Sequence, residues 1–155
     1  KDLILFNQIK PTEVKETIGN ISKGKLIKEV TKEIKEYSIE DHCKRMSSDV
    51  KSVFETIRDK IIEIDTNIKE KPVKNYIGYK LNWYNFVSIH AYKDKLKIYV
   101  RKDKLSSDTD NKFTKVPESY KWGNTPLWWI DINDQKLTTY VLKAIQASYK
   151  SAQDN

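Results

Sequence analysis

Between residues 76 and 101 flat rings and cations alternate with aliphatic side chains. Tyr76, Gly78 and Lys80 share one parity, as do Phe86, Ser88, His90 and Tyr92, and again Lys95, Lys97, Tyr99 and Arg101. A spacing of two puts each set on one face of a strand. Rings stack bases and cations neutralise phosphates, so Tyr76, Lys80, His90, Tyr92, Lys97, Tyr99 and Arg101 are the candidate nucleic-acid-binding residues. Gly78, lying between Tyr76 and Lys80, leaves room for a ligand to come close. The plainer alternative is a solvated sheet face in a Lys-rich protein, or a face covered by the N-terminal segment.

Other chemistry finds less support. As a general base His90 needs an acid or nucleophile within reach. Its expected cross-strand neighbour is Lys97, which lowers a histidine pKa, and only a distant acid such as Asp131 or Asp134 could join it. A surface histidine without a role is the simpler reading. His42, after Asp41, reads as a helix-surface residue. Metal-dependent cleavage needs paired carboxylates with a lysine. Glu13-Val14-Lys15 and Glu33-Ile34-Lys35 have the local form but lie in no clear strand. One cysteine, Cys43, excludes an internal disulfide, and with two histidines it excludes a Cys/His zinc site, so no metal or cofactor is expected. Cys43 reads as a half-buried apolar residue. Gly-rich phosphate loops, Gly-x-Ser-x-Gly elbows and His-Glu-x-x-His are absent. Trp122-Gly123-Asn124 reads as a loop motif with a turn at Gly-Asn, and Trp122 is expected to tuck beside Trp128 and Trp129.

These residues need elements to hold them. Ser38-Ile39-Glu40-Asp41 matches a capping box, which starts a short helix. Ser47 and Ser48 then cap a longer one, with Val50, Val53, Phe54, Ile57, Ile61 and Ile64 on one stripe. Pro72 closes the connection. Strands follow over 74–82, 85–92 and 95–102. The Lys93-Asp94 hairpin pairs Tyr92 with Lys95, Ala91 with Leu96, Ile89 with Ile98 and Val87 with Val100, so every aliphatic residue lands on one face. Residues 103–126 form a long polar loop, with a short strand near 113–116, and Leu127–Ile132 is a further strand. Leu137, Tyr140, Val141, Ala144, Ile145 and Tyr149 make a second stripe. The predicted fold is α+β: an antiparallel sheet of about four strands with two amphipathic helices (48–65 and 136–150) on one face. A helical or mixed N-terminal appendage over 1–45 links upstream, and 46–155 is the α+β domain.

The charge balance points the same way. The 155 residues carry a net charge of +7, with residues 1–72 at net +1 and residues 73–155 at net +6. The second part also holds 14 of the 17 aromatic residues, so rings and positive charge concentrate together. Only three of the 29 basic residues are Arg, the better fork for guanine edges, so the charge favours phosphate attraction over base readout. No apolar run approaches the ~18 residues of a membrane span, and no secretory segment is visible, so a cytoplasmic location and no membrane partner are expected. Starting at Lys1 and not Met, the chain reads as a piece of a longer protein.

Several strings carry a family likeness. Tyr37-Ser38-Ile39-Glu40-Asp41-His42, Tyr76-Ile77-Gly78-Tyr79-Lys80, Asn85-Phe86-Val87-Ser88-Ile89, Leu96-Lys97-Ile98-Tyr99-Val100, Trp122-Gly123-Asn124 and Tyr140–Ile145 with Ser148-Tyr149 resemble a bacterial and archaeal domain of unknown function. That domain recurs at the C-termini of restriction-type proteins, including relatives of the GmrSD modification-dependent endonucleases; some members were once labelled predicted transport proteins. The likeness spans about residues 37–150. Lys121 replaces the family's usual His or Arg, and Thr125-Pro126 interrupt its Gly-Asp continuation. The resemblance implies a small C-terminal accessory domain of a restriction or DNA-defence protein, with upstream domains of the same polypeptide as partners, and the lack of a catalytic constellation in the residues makes a non-catalytic, nucleic-acid-binding role the expectation. It supplies no catalytic residues. The alternative is a protein-interaction or dimerisation module, favoured if Trp83, Tyr84 and Phe86 form an exposed patch; an undetected enzyme, such as a nuclease, ranks below both.

Overall fold

The computed structural model describes residues 36–120 and 125–154. The chain divides into two units, residues 1–36 and 37–155, and all the described elements lie in the second. The expected appendage up to residue 35, its Glu-x-Lys triplets and Trp122, Gly123 and Asn124 lie outside the described residues.

Two short caps set the helical entrance. Ser38 and Asp41 form the reciprocal capping box at α1 (Ile39–Cys43), with Asp41 N–H on Ser38 Oγ at 3.2 Å and Ser38 N–H on the Asp41 carboxylate at 3.1 Å. Ser47 then caps α2 (Ser48–Ile62). This helix ends three residues before the expected 65. Beyond it, Asp65 accepts the Asn67 N–H at 2.8 Å, a local bond that competes with another helical turn, and the Tyr149 hydroxyl at 2.5 Å.

Six strands follow: β1 (Lys69–Pro72), β2 (Ile77–Leu81), β3 (Tyr84–Ala91), β4 (Leu96–Arg101), β5 (Thr114–Lys115) and β6 (Leu127–Ile132). They form one antiparallel sheet in the order β1-β2-β3-β4-β6-β5. Six strands replace the expected four or so. The unforeseen one, β1, is an edge strand of sequence Lys-Glu-Lys-Pro, charged and ending in a residue that lacks an N–H, as edge strands commonly are. A 3-10 turn (Gln135–Leu137) started by Asp134 leads into α3 (Thr138–Gln153), which runs three residues past the expected 150.

The hairpin register is the one the aliphatic pattern demands. Ala91 pairs with Leu96, Ile89 with Ile98 and Val87 with Val100, and all six are buried. Helices α2 and α3 cover this face, with Val53, Phe54, Ile57 and Ile61 on one and Val141, Ala144, Ile145 and Tyr149 on the other joining the same core. Each fully buried aliphatic or aromatic side chain contributes about 1.5–3 kcal/mol through water release. Among the described residues no helix is long and apolar enough to cross a membrane.

Phe86 breaks the expected parity. Tyr79 pairs with Val87 but Lys80 pairs with Asn85, leaving Phe86 as an extra residue in β3. This bulge turns Phe86 from the open face into the core, fully buried and edge-on to Tyr149 with ring centroids 5.6 Å apart. Next to the bulge, Ser148 of α3 bridges β3 and β4 beyond their last paired residues, Val87 and Val100. Its buried Oγ donates to the Phe86 carbonyl at 2.7 Å and accepts the Arg101 N–H at 3.0 Å.

The loop after β4 is tied down as well. Asp108 accepts the N–H groups of Lys112 at 2.8 Å and Phe113 at 3.2 Å, and also binds the Tyr140 hydroxyl. Leu105 and Phe113 are buried, so the loop is anchored before it reaches β5.

Candidate nucleic-acid interface

Cross-strand pairs share a face, so the register maps the side away from the helices. One row runs across all six strands: Lys71, Gly78, Ser88, Tyr99, Trp129, Thr114. Beside it lie His90, Lys97 and Asp131, with Tyr76 stacked on His90. On the other side lie Lys69, Lys80 and Asn85, then Arg101 and Leu127. The face thus gathers Lys69, Lys71, Lys80, Lys95, Lys97 and Arg101 against one strand carboxylate, Asp131. The other strand acid, Glu70, points to the helix side and takes a two-pronged bond from Arg58 at 2.8 and 2.9 Å.

The expected open-face parity holds for Tyr76, Gly78, Lys80, Ser88, His90, Lys97, Tyr99 and Arg101, while Lys69, Lys71 and Trp129 were not expected on this face and Asp131 was named only as a distant partner for His90. The β1 lysines were hidden by an unrecognised edge strand. Trp129 and Asp131 come from β6, whose position beside β4 is a long-range fact; the alternation of Leu127, Trp129 and Asp131 on one parity was the available signal.

Asp131 changes the electrostatics at its end of the face. Lys95 Nζ lies 2.8 Å from one carboxylate oxygen and Lys97 Nζ 3.8 Å from the other. The ion pair with Asp131 raises the Lys95 pKa. Lys97 also sits 3.9 Å from the Trp129 ring centroid, a cation–π contact. Positive charge is therefore least compensated at the β1 edge, where Lys69 and Lys71 are exposed and Lys80 is half-buried.

His90 is enclosed by rings and not bathed in solvent. Its centroid lies 5.4 Å from Tyr76 and 5.0 Å from Tyr99, and Nε2 is buried without a hydrogen-bond partner. Burial, then Lys97, then His42 push its pKa down to about 4. Lys97 stands between it and Asp131 in the pairing, and Asp134 instead caps the 3-10 turn, accepting the Lys136 N–H at 2.8 Å. His42 is likewise no surface residue. It is fully buried, with Nε2 2.8 Å from the Val73 carbonyl, and burial lowers its pKa. Cys43 is a half-buried free thiol, its pKa raised by burial. Among the described residues no group of three or more His, Cys, Asp or Glu is disposed to hold a metal.

Gly78 serves a purpose other than the expected ligand approach. A Cβ there would meet Asn85 Oδ1 at 3.1 Å and Tyr76 Cε2 at 3.3 Å. The protein's own side chains close over the glycine. Tyr92, at the far end of the hairpin, is exposed, with Lys95 Nζ 6.0 Å from its ring.

Two pockets open on this face on either side of Tyr99 and Leu127, which line both. One of about 140 Å³ is bounded by Tyr76, Asn85, Ser88 and Arg101. The other, about 260 Å³, is bounded by Lys97, Val116, Pro117, Tyr120 and Trp129. The Arg101 guanidinium also reaches the Thr125 carbonyl at 3.4 Å.

A family model described as "Domain of unknown function (DUF5655)" matches residues 39–152. The chain belongs to this family. The DUF5655 match covers nearly all of the described α+β unit, from the capping-box helix to the end of α3. An uncharacterized protein of Haemophilus influenzae (strain ATCC 51907 / DSM 11121 / KW20 / Rd) is 25% identical over 151 residues, covering 96% of this chain and 49% of the relative. The chain thus spans about half the length of that curated relative. No solved structure matches this chain.

Proposed function

We propose that this DUF5655 domain binds single-stranded nucleic acid on the sheet face opposite its helices, as a non-catalytic accessory domain of a restriction or DNA-defence protein. The observation that carries the reading is the composition of that face, where among the described strand and hairpin residues six cations, with four rings (Tyr76, His90, Tyr99, Trp129), meet one carboxylate. Rings accept bases of any sequence and lysines follow a phosphate backbone. The defence context comes from the resemblance to domains at the C-termini of restriction-type proteins.

The test is fluorescence anisotropy with labelled oligo(dT), its RNA counterpart and a duplex, at about 50 and about 200 mM salt. Four to six phosphate contacts give a log–log salt slope of roughly −3 to −4 on single strands, a loss of about 60- to 250-fold over that range. Reversing the exposed Lys69 and Lys71 to Glu should flatten the slope by about 1.4. Absence of binding at low salt, or a slope near zero, rejects the reading.

A protein-interaction module is the competing reading. The patch that would carry it is reduced to Trp83, because Tyr84 and Phe86 are buried. Light scattering that shows a concentration-dependent dimer, lost on Trp83→Ala, would favour that module.

A further inference from the structure

The two pockets are unlike in chemistry and adjoin each other. The larger is walled by Tyr120 and Trp129, with Val116, Pro117 and Leu127 as apolar lining and the Lys97 ammonium 3.9 Å from the Trp129 ring centroid. The smaller carries the polar groups of Asn85, Ser88 and Arg101 between Tyr76 and Tyr99. Tyr120, which follows β5, is 63% exposed, so its ring is open to a ligand. The exposed lysines of this face, Lys69 and Lys71, lie at the opposite, β1 edge.

We infer that the pockets flanking Tyr99 hold neighbouring bases of one single strand, with the Tyr120–Trp129 pocket as the stacking slot, and that the strand's backbone leaves over the β1 lysines. This rests on the nucleic-acid reading of the face and adds a path and a footprint. From β6 to β1 is four strand spacings, about 19 Å. At ~3.4 Å per phosphate this is five to six nucleotides, and fewer where bases unstack. The footprint is therefore about four to six nucleotides, at the short end of sites on other single-strand platforms. The slot accepts any base, because it offers the exposed Tyr120 ring, the edge of Trp129 beside the Lys97 ammonium and aliphatic groups, while the polar pocket supplies what base preference exists.

The test uses the full chain and oligo(dT) of increasing length. Affinity should climb steeply up to about six nucleotides and then level off. Tyr120→Ala should weaken oligo(dT) binding by about 5- to 150-fold, the loss for one stacked base, without changing the salt slope. Trp83→Ala, which removes the other strongly exposed ring (72%) at the β2–β3 turn, should leave affinity within twofold. Both variants alter exposed side chains, so folding is not at issue, and circular dichroism confirms it. A free mononucleotide in large excess should fail to displace the oligonucleotide.

If oligo(dT) binds with the expected salt slope but Tyr120→Ala is unchanged, the slot is wrong and the platform stands. Full displacement by the mononucleotide makes the pocket a nucleotide site and overturns the strand path. If no oligonucleotide binds at low salt, the platform fails and this inference with it.

Discussion

Replacing Ser148 by Ala should weaken the fold far more than loss of one hydroxyl usually does. Ser148 Oγ lies beside the bulged residue Phe86 and links β3 to β4, bonded to the Phe86 carbonyl at 2.7 Å and the Arg101 N–H at 3.0 Å. The residue is fully buried, so no water replaces the hydroxyl. A methyl group there leaves one donor and one acceptor unsatisfied, each costing about 1–3 kcal/mol. Partial relaxation brings the sum to roughly 2–4 kcal/mol, a large share of a typical ~5–15 kcal/mol stability. With a urea m-value of about 1–3 kcal/mol/M the denaturation midpoint should fall by about 1–2 M at unchanged m. Ser148→Thr keeps the hydroxyl and should recover part of the loss. A drop below ~0.5 kcal/mol for Ser148→Ala would refute the claim that this hydroxyl links the two strands beside the bulge.

Two further perturbations test the open face as a folded structure. His90 has a folded-state pKa of about 4, below its ordinary value of 6.5. The unfolded chain therefore takes up the proton first, and stability should be lost as pH falls from about 6.5 to 4 and stay level above that window. The full shift would be worth ~3.4 kcal/mol, which partial exposure reduces to about 1–2. His90→Gln should remove this part of a urea-midpoint profile against pH and leave the share from His42, whose pKa is shifted in the same direction. Gly78→Ala sets the ~0.5–1 kcal/mol gain in backbone entropy against crowding of Asn85 and Tyr76, with a net loss of about 1 kcal/mol expected. In an Asn85→Ala background the 3.1 Å contact is gone and the same change should become neutral or stabilising, a sign change that a double-mutant cycle in urea detects.

What the sequence revealed followed local rules. The β3–β4 hairpin was legible because only one register buries Val87, Ile89, Leu96, Ile98 and Val100 together. The α1 cap was legible because Ser38 and Asp41 act three residues apart. What stayed hidden depends on partners far along the chain. His42 is buried because its ring meets the Val73 carbonyl, 31 residues away. Asp131 reaches the open face only because β6 inserts between β4 and β5. The bulge left one trace, since Phe86 and Val87 are adjacent large apolar residues that strict alternation cannot both bury. The edge strand β1 left none, because an edge is kept charged to avoid unwanted pairing.

The most direct measurement of whether the ring-and-lysine face is a docking surface is a nuclear magnetic resonance titration of isotope-labelled protein with a short oligo(dT). Backbone amide shifts should move at Lys71, Gly78, Ser88, Tyr99 and Trp129, the row that crosses the sheet, while the outward residues of α2 and α3 stay still. Shifts confined to the helices, or none at saturating oligonucleotide, would contradict it.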